Sequence, residues 1–192
     1  MDQPLAGTCE AGRVRACWDE QHLYIAFEFE DSDVIAESPE GERHHYRFGD
    51  TAEFFLKPAA APCYWEMHAT PRREQATYFY PSFGRFGLPS NFDTDSGLRV
   101  AATVEGTINN GADRDRGWAV EFAIPVSDLA RRTDAPWGAG TAWSVLAGRY
   151  NYGRYNQACE LTSHPTLAVT DFHDRTKYAV LTLERSVSGR EE

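Results

Sequence analysis

Alternation of apolar and polar residues, rather than helical periodicity, runs through most of this chain. In residues 22–30, His-Leu-Tyr-Ile-Ala-Phe-Glu-Phe-Glu, Leu23, Ile25, Phe27 and Phe29 fall on one face; Tyr24, Ala26, Glu28 and Glu30 fall on the other. Successive side chains of an extended backbone point to opposite faces, so this pattern builds a strand with one buried side. Trp118-Ala-Val-Glu-Phe-Ala-Ile124 repeats it, with Glu121 set among alanines on the outer face. Pro125 stops that strand, and Ser127-Asp128-Leu129-Ala130 reads as one helical turn.

The remaining segments follow the same rule. Residues 13–18 form a strand that pairs with 22–30 as a hairpin through Asp19-Glu20-Gln21. Phe48-Gly49-Asp50-Thr51-Ala52-Glu53-Phe54-Phe55-Leu56-Lys57 reads as a buried strand entered through a Gly-Asp turn. Ala52, Phe54 and Leu56 face one way, and Thr51, Glu53, Phe55 and Lys57 the other. Further strands are predicted at about 63–69, 75–80, 98–105, 142–150 and 177–183. Val34 to Glu37 reads as a helical turn with Asp33 as its cap, and the stretch from Tyr150 to Thr170 as mostly irregular. Residues 81–97 form a long loop containing Phe83, Phe86 and Phe92, read as loop packing. Roughly nine or ten short strands with no long helix predict an all-β fold. The expected architecture is an antiparallel two-layer β-sandwich of jelly-roll or immunoglobulin-like type, with one or two short helical turns. It is a single domain over 1–192, with its core at about 13–185.

Charge and composition narrow the function. The formal net charge of -10 repels phosphate backbones, so nucleic acid is not expected as a partner. Met1-Asp2-Gln3-Pro4-Leu5 lacks the basic start and apolar run of a signal peptide, and no segment predicts a membrane span. Cys9, Cys17, Cys63 and Cys159 contain no CxxC spacing; two disulfides and four free thiols both remain open. His44, His45, His68, His164 and His173 are scattered and do not indicate a zinc site. No nucleophile elbow, P-loop or dinucleotide fingerprint occurs.

Aromatic residues are 13% of the chain, enough to furnish a binding face as well as a core. Glu53 and Glu66 lie on consecutive strands, opposite the predicted core faces, with Tyr46 and Phe48 near the entrance of the first. Rings beside carboxylates suit a sugar: rings stack on its faces, and carboxylates accept from its hydroxyls. The same pair would otherwise be solvated sheet residues or partners of Arg149. As the acid and base of a glycosidase it would need a defined separation. Arg149 has the fork to grip a sugar or to pair with a carboxylate. Asp31 and Asp33 have alternate spacing that places oxygens around calcium or, equally, caps a turn; Asp113 and Asp115 share it.

Four stretches together resemble the family 9 carbohydrate-binding modules and the related DOMON-type sandwiches. They are Trp18 to Phe27 with Asp31, Gly49 to Leu56, Asp115 to Pro125, and Asp171-Phe172-His173-Asp174 with the closing strand Tyr178 to Leu183. The resemblance implies a β-sandwich, often with structural calcium, here at Asp31 and Asp33, acting outside the cytoplasm in extracellular or periplasmic space. In its sugar-binding members two tryptophans sandwich a glucan or xylan end. Their places correspond here to Tyr46-Arg47-Phe48 and to Phe172, the family's binding Glu to Glu53, and its Arg on the following strand to about Glu66. His173 belongs to the matching tail motif. The implied function is a non-catalytic module for a saccharide or polysaccharide, using Tyr46, Phe48, Glu53, Glu66, Arg149, Phe172 and His173. The alternatives are a haem-binding electron-transfer domain, with Met67 as ligand in the manner of related sandwiches, and an interaction domain without a small ligand.

Overall fold

The computed structural model describes residues 9–185. Ten strands form two antiparallel sheets. The smaller sheet contains β1 (Gly12–Trp18), β2 (His22–Glu30), β7 (Gly117–Pro125) and β6 (Arg99–Glu105), in that spatial order. The larger is ordered β10 (Ala179–Thr182), β8 (Ala142–Asn151), β3 (Thr51–Pro58), β4 (Tyr64–Ala69) and β5 (Gln75–Tyr80). A further strand, β9 (Glu160–His164), pairs with the second half of β8. One short helix, α1 (Val126–Ala130), follows β7.

The alternating segments sit where their pattern requires. Leu23, Ile25 and Phe27 of β2 and Val120, Phe122 and Ile124 of β7 are buried against Ala52, Phe54, Leu56, Trp65 and Met67 of the larger sheet. Their polar neighbours face outward, as in a sheet with one wet face. Strands β3 and β4 differ, because nearly every residue in them is buried. Their second face carries Phe55 and Tyr64, which pack with Tyr78, Tyr80, Leu146 and Phe172 in a separate apolar cluster. The loops around residues 43–47, 86–92 and 170–173 cover that face.

Two local expectations are corrected. Val34 to Glu37 is extended, with a bridge between Ala36 and Gly49. The backbone N–H groups of Val34, Ile35 and Ala36 donate to Asp115 Oδ2, Asp50 Oδ2 and Asn109 Oδ1, each at 2.7 Å. These tertiary acceptors take the donors that would otherwise face the start of a helix. Gly49 allows the crossing: its φ is +148°, and a Cβ there would lie 2.4 Å from Ile35 O. The second correction is β9, within a stretch read as irregular. Glu-Leu-Thr-Ser-His is too polar to announce a strand, and its ladder with Ala147–Asn151 of β8 makes it one. All four cysteines are free. No helix among the described residues is long and apolar enough to cross a membrane.

Truncating Phe122 at the centre of the core to alanine is expected to lower the unfolding free energy by about 3–5 kcal/mol. Val180→Ala, at a position 72% exposed, should stay within about 0.5 kcal/mol of wild type. Urea midpoints of the two variants check the contrast.

Candidate functional site

The second face of the larger sheet opens into a cavity of about 640 Å³. Its geometry follows from register. Glu53 on β3 faces His68 on β4, and Phe55 faces Glu66, so Glu53, Glu66 and His68 project from one side of two neighbouring strands. Tyr78 lies across from Glu66 on β5, and Gly148 across from Glu53 on β8. Gly148 leaves space for the Phe172 ring, which would stand 2.8 Å from a Cβ at that position.

Glu53 and Glu66 line the floor, with His68 buried behind them. His68 Nε2 donates to Glu66 Oε1 at 2.6 Å. Glu53 Oε1 is 3.0 Å from the same nitrogen but accepts no hydrogen bond from it. Tyr80 donates its hydroxyl to Glu66 Oε2 at 2.7 Å, and His173 Nε2 lies 3.6 Å from that oxygen. Tyr46, Tyr78, Tyr80, Tyr150, Phe86 and Phe172 form much of the wall. The Tyr46 and Tyr150 ring centroids are 5.0 Å apart, and those of Phe86 and His173 are 4.4 Å apart. Tyr152 donates to Tyr46 O and Tyr78 to Arg43 O, which ties the covering loop to the sheet.

The charges on the floor are interdependent. Burial would depress the His68 pKa, but the negative charges of Glu53 and Glu66 override it and push the imidazole up to about 10. Burial raises the Glu53 carboxyl more than His68 lowers it. Burial also acts to raise Glu66, but the His68 hydrogen bond and charge, the His173 charge and the Tyr80 hydrogen bond outweigh it and hold Glu66 below its ordinary range. Burial and the neighbouring glutamate charges keep the Tyr78, Tyr80 and Tyr150 phenols protonated. The site therefore combines hydroxyl donors, one well-anchored carboxylate and one carboxylate with unused acceptor capacity.

Of the residues singled out in the sequence, Tyr46, Glu53, Glu66, Phe172 and His173 meet at this cavity. Phe48 and Arg149 do not line it. Arg149 is paired with Ala52 across β3 and β8, so its side chain points between the sheets, away from Glu53. There it donates to Asp31 Oδ2 at 3.0 Å and Asn151 Oδ1 at 2.8 Å, with its guanidinium over the Phe29 ring. The expected support of a sugar by Arg149 is corrected accordingly, as is its alternative pairing with Glu53 or Glu66. Phe86 and Phe92, read as loop packing, line the cavity instead.

The carboxylates Asp31 and Asp33 do not fit a calcium cage. Asp31 accepts from Asp33 N–H, Trp118 Nε1–H and Arg149, so a guanidinium holds the place that a cation would take. Asp33 Oδ2 accepts from Arg154 N–H, and its Oδ1 lies 2.9 Å from Arg154 Nη2. Asp115 closes a loop by accepting from Val34 and Thr107. Met67 is 1% exposed in the core between the sheets, on the side opposite the cavity, so the haem reading finds its sulfur among hydrocarbon. His68 joins the floor although the histidines are scattered along the chain. Its signal was the spacing Glu66-x-His68, which puts both side chains on one face of a strand.

No family model matches the chain, and no curated protein matches it. Solved structures do. A Bacteroides uniformis protein described as a candidate carbohydrate-binding protein superposes with a TM-score of 0.64 at 13% identity, over 91% of this chain and 79% of the other. A family 9 carbohydrate-binding module from Caldicellulosiruptor kristjanssonii, in complex with glucose, gives 0.55 at 13% identity, over 97% and 83%. A family 9 module from the same organism with cellotriose gives 0.53 at 14% identity, over 95% and 80%. The chain has the fold of these modules.

Two measurements follow. Arg149→Met leaves Asp31 buried without its cation and should cost about 3–5 kcal/mol; it should leave ligand affinity of the folded protein unchanged. The second concerns pH. A raised imidazole pKa stabilises fully below the unfolded value of 6.5 and is lost as pH climbs through about 10. The melting temperature should therefore fall across that interval. His68→Gln should flatten the slope, leaving the part that belongs to the carboxyls burial raises, Glu53 and Asp50, the latter pushed up to about 9 by burial and the Asp31 charge.

Proposed function

We propose that this domain binds a saccharide in the cavity on the outer face of its larger sheet. The observation that carries the reading is two buried carboxylates beneath a wall of tyrosine and phenylalanine rings, in a cavity of about 640 Å³. Pockets for small ligands fall in a range of roughly 300–1,000 Å³, and a few fixed polar groups in an apolar wall orient what enters. Rings such as Tyr46 and Phe86 offer apolar faces to the C–H surface of a sugar. Glu53 accepts from its hydroxyls, and Tyr150 lines the same cavity, while the Tyr78 and Tyr80 hydroxyls donate to Arg43 O and Glu66 Oε2 and hold the wall in place. The family 9 modules with this fold that hold glucose or cellotriose support the ligand class. By the same likeness, a gluco-oligosaccharide is the ligand to try first.

Binding fits the floor better than hydrolysis does. The Glu53, Glu66 and His68 ligand atoms lie within 4.8 Å of one another. A glycosidase needs one carboxyl free to carry a proton to the leaving oxygen. Both Glu66 oxygens are, moreover, already held by His68 and Tyr80.

Calorimetric titration with gluco-, xylo- and manno-oligosaccharides tests the assignment. Tyr46→Ala should weaken binding by roughly 2- to 12-fold, the loss of one stacking contact. Glu53→Gln should weaken it by about 10- to 100-fold, the loss of hydrogen bonds to a charged acceptor. Silence across the panel, or wild-type affinity in both variants, would remove the saccharide reading.

A further inference from the structure

The hydrogen-bond count at the cavity floor does not close with a proton alone. Three side chains converge there, Glu53, Glu66 and His68, and each is at least 95% buried. The single hydrogen on His68 Nε2 is directed to Glu66 Oε1. Glu53 Oε1 is as close as 3.0 Å but receives no hydrogen bond from any described residue. A buried carboxylate oxygen without a donor is expensive, and burial makes it more so. A cation centred among the three atoms would contact all of them at once.

We propose that Glu53 Oε1, Glu66 Oε1 and His68 Nε2 bind a divalent transition-metal ion, of which Zn²⁺ is the type, at the floor of the cavity. The ion takes the place of the Nε2 proton. Two carboxylates and one imidazole are a donor set for zinc, manganese or iron; calcium asks for six to eight oxygens, which this floor does not offer. Metal–ligand bonds of about 2.0–2.2 Å in tetrahedral geometry set ligand atoms about 3.3 Å apart. The imidazole nitrogen is 3.0 and 2.6 Å from the two oxygens, so the Glu53 contact opens by about 0.3 Å and the Glu66 contact by about 0.7 Å to admit the ion. Two glutamate charges match a divalent ion without remainder.

Glu66 is already supported from behind. Tyr80 fixes Glu66 through its other oxygen at 2.7 Å, the kind of outer contact that orients a metal-binding carboxylate. The His68 ring is packed against Tyr46 and Tyr78. Three protein ligands leave a coordination position open, and Glu53 and Glu66 line the cavity, so that position faces the entering ligand. The site does not depend on that ligand being a saccharide.

The test titrates the full chain, stripped with chelator and exchanged into metal-free buffer, with ZnCl₂ alone. Binding of one Zn²⁺ per chain is expected. Glu53→Gln and His68→Gln should each lose about 100-fold or more in affinity, and Tyr80→Phe, which keeps its ring, about 10-fold. Circular dichroism and melting of each variant separate a lost ligand from a lost fold. The four free thiols stay in every variant; zinc taken up equally by wild type, Glu53→Gln and His68→Gln would therefore overturn the site, as would no uptake at all. Saccharide heat from the metal-free protein with no zinc uptake would overturn the metal site and leave the saccharide reading intact. Stoichiometric zinc lost in the variants, without saccharide heat, would do the reverse.

Discussion

Strand β3 has no wet side. Ala52, Phe54 and Leu56 close the core between the sheets, while Phe55 on the other face is packed under loops with Tyr64, Leu146 and Phe172. Glu53, Glu66 and His68 on that second face are thereby taken almost wholly out of water, and each requires a partner in place of it. The positions of Glu53, Glu66 and His68, the tyrosines around them and the loops above them all answer to this one constraint.

The two faces solve the problem differently. Between the sheets lies the Arg149 guanidinium, matched by Asp31 and stacked over Phe29, and it joins the end of β2 to β8. Buried pairs of this sort contribute little net stability, yet breaking one strands a charge. Around them Asp33, Asp50 and Asp115 accept backbone N–H groups from crossing loops, so these acids act as structural acceptors. On the cavity side His68 lies between two glutamates, but its Nε2–H hydrogen-bonds only Glu66. Glu66 is held on both oxygens and Glu53 is not. That asymmetry is the chemical content of the site: one carboxylate is anchored, and the other has capacity left for something that enters.

Sharing a fold with the family 9 modules at 13–14% identity means that the sandwich is preserved while most side chains are exchanged. A two-layer sheet tolerates this because its requirement at each inward position is apolar volume rather than a particular residue. The cavity here is walled by tyrosine and phenylalanine, with Phe86 and Phe92 contributed by the 83–92 loop. Tyrosines add hydroxyl donors that a purely apolar ring lacks, and Tyr80 uses its own to orient Glu66.

Local pattern determined the sandwich. The alternations at 22–30 and 118–124 placed Leu23, Ile25, Phe27, Val120, Phe122 and Ile124 correctly, because a strand's period of two is a property of the backbone. The same period assigned Glu53 to the face opposite Phe54, and Glu66 to the face opposite the core. What it could not say was whether that face was wet or covered, because coverage comes from loops distant in sequence. The turn expected at Val34 to Glu37 failed for a related reason: Asp50, Asn109 and Asp115, remote in the chain, claimed its N–H groups. Arg149 looked like a site residue until the β3–β8 register turned it inward, opposite Ala52. Sequence thus determined which way side chains alternate along each strand. Only the tertiary structure decided which strands are neighbours and what covers them, because pairing register and loop placement depend on contacts between segments far apart in the chain.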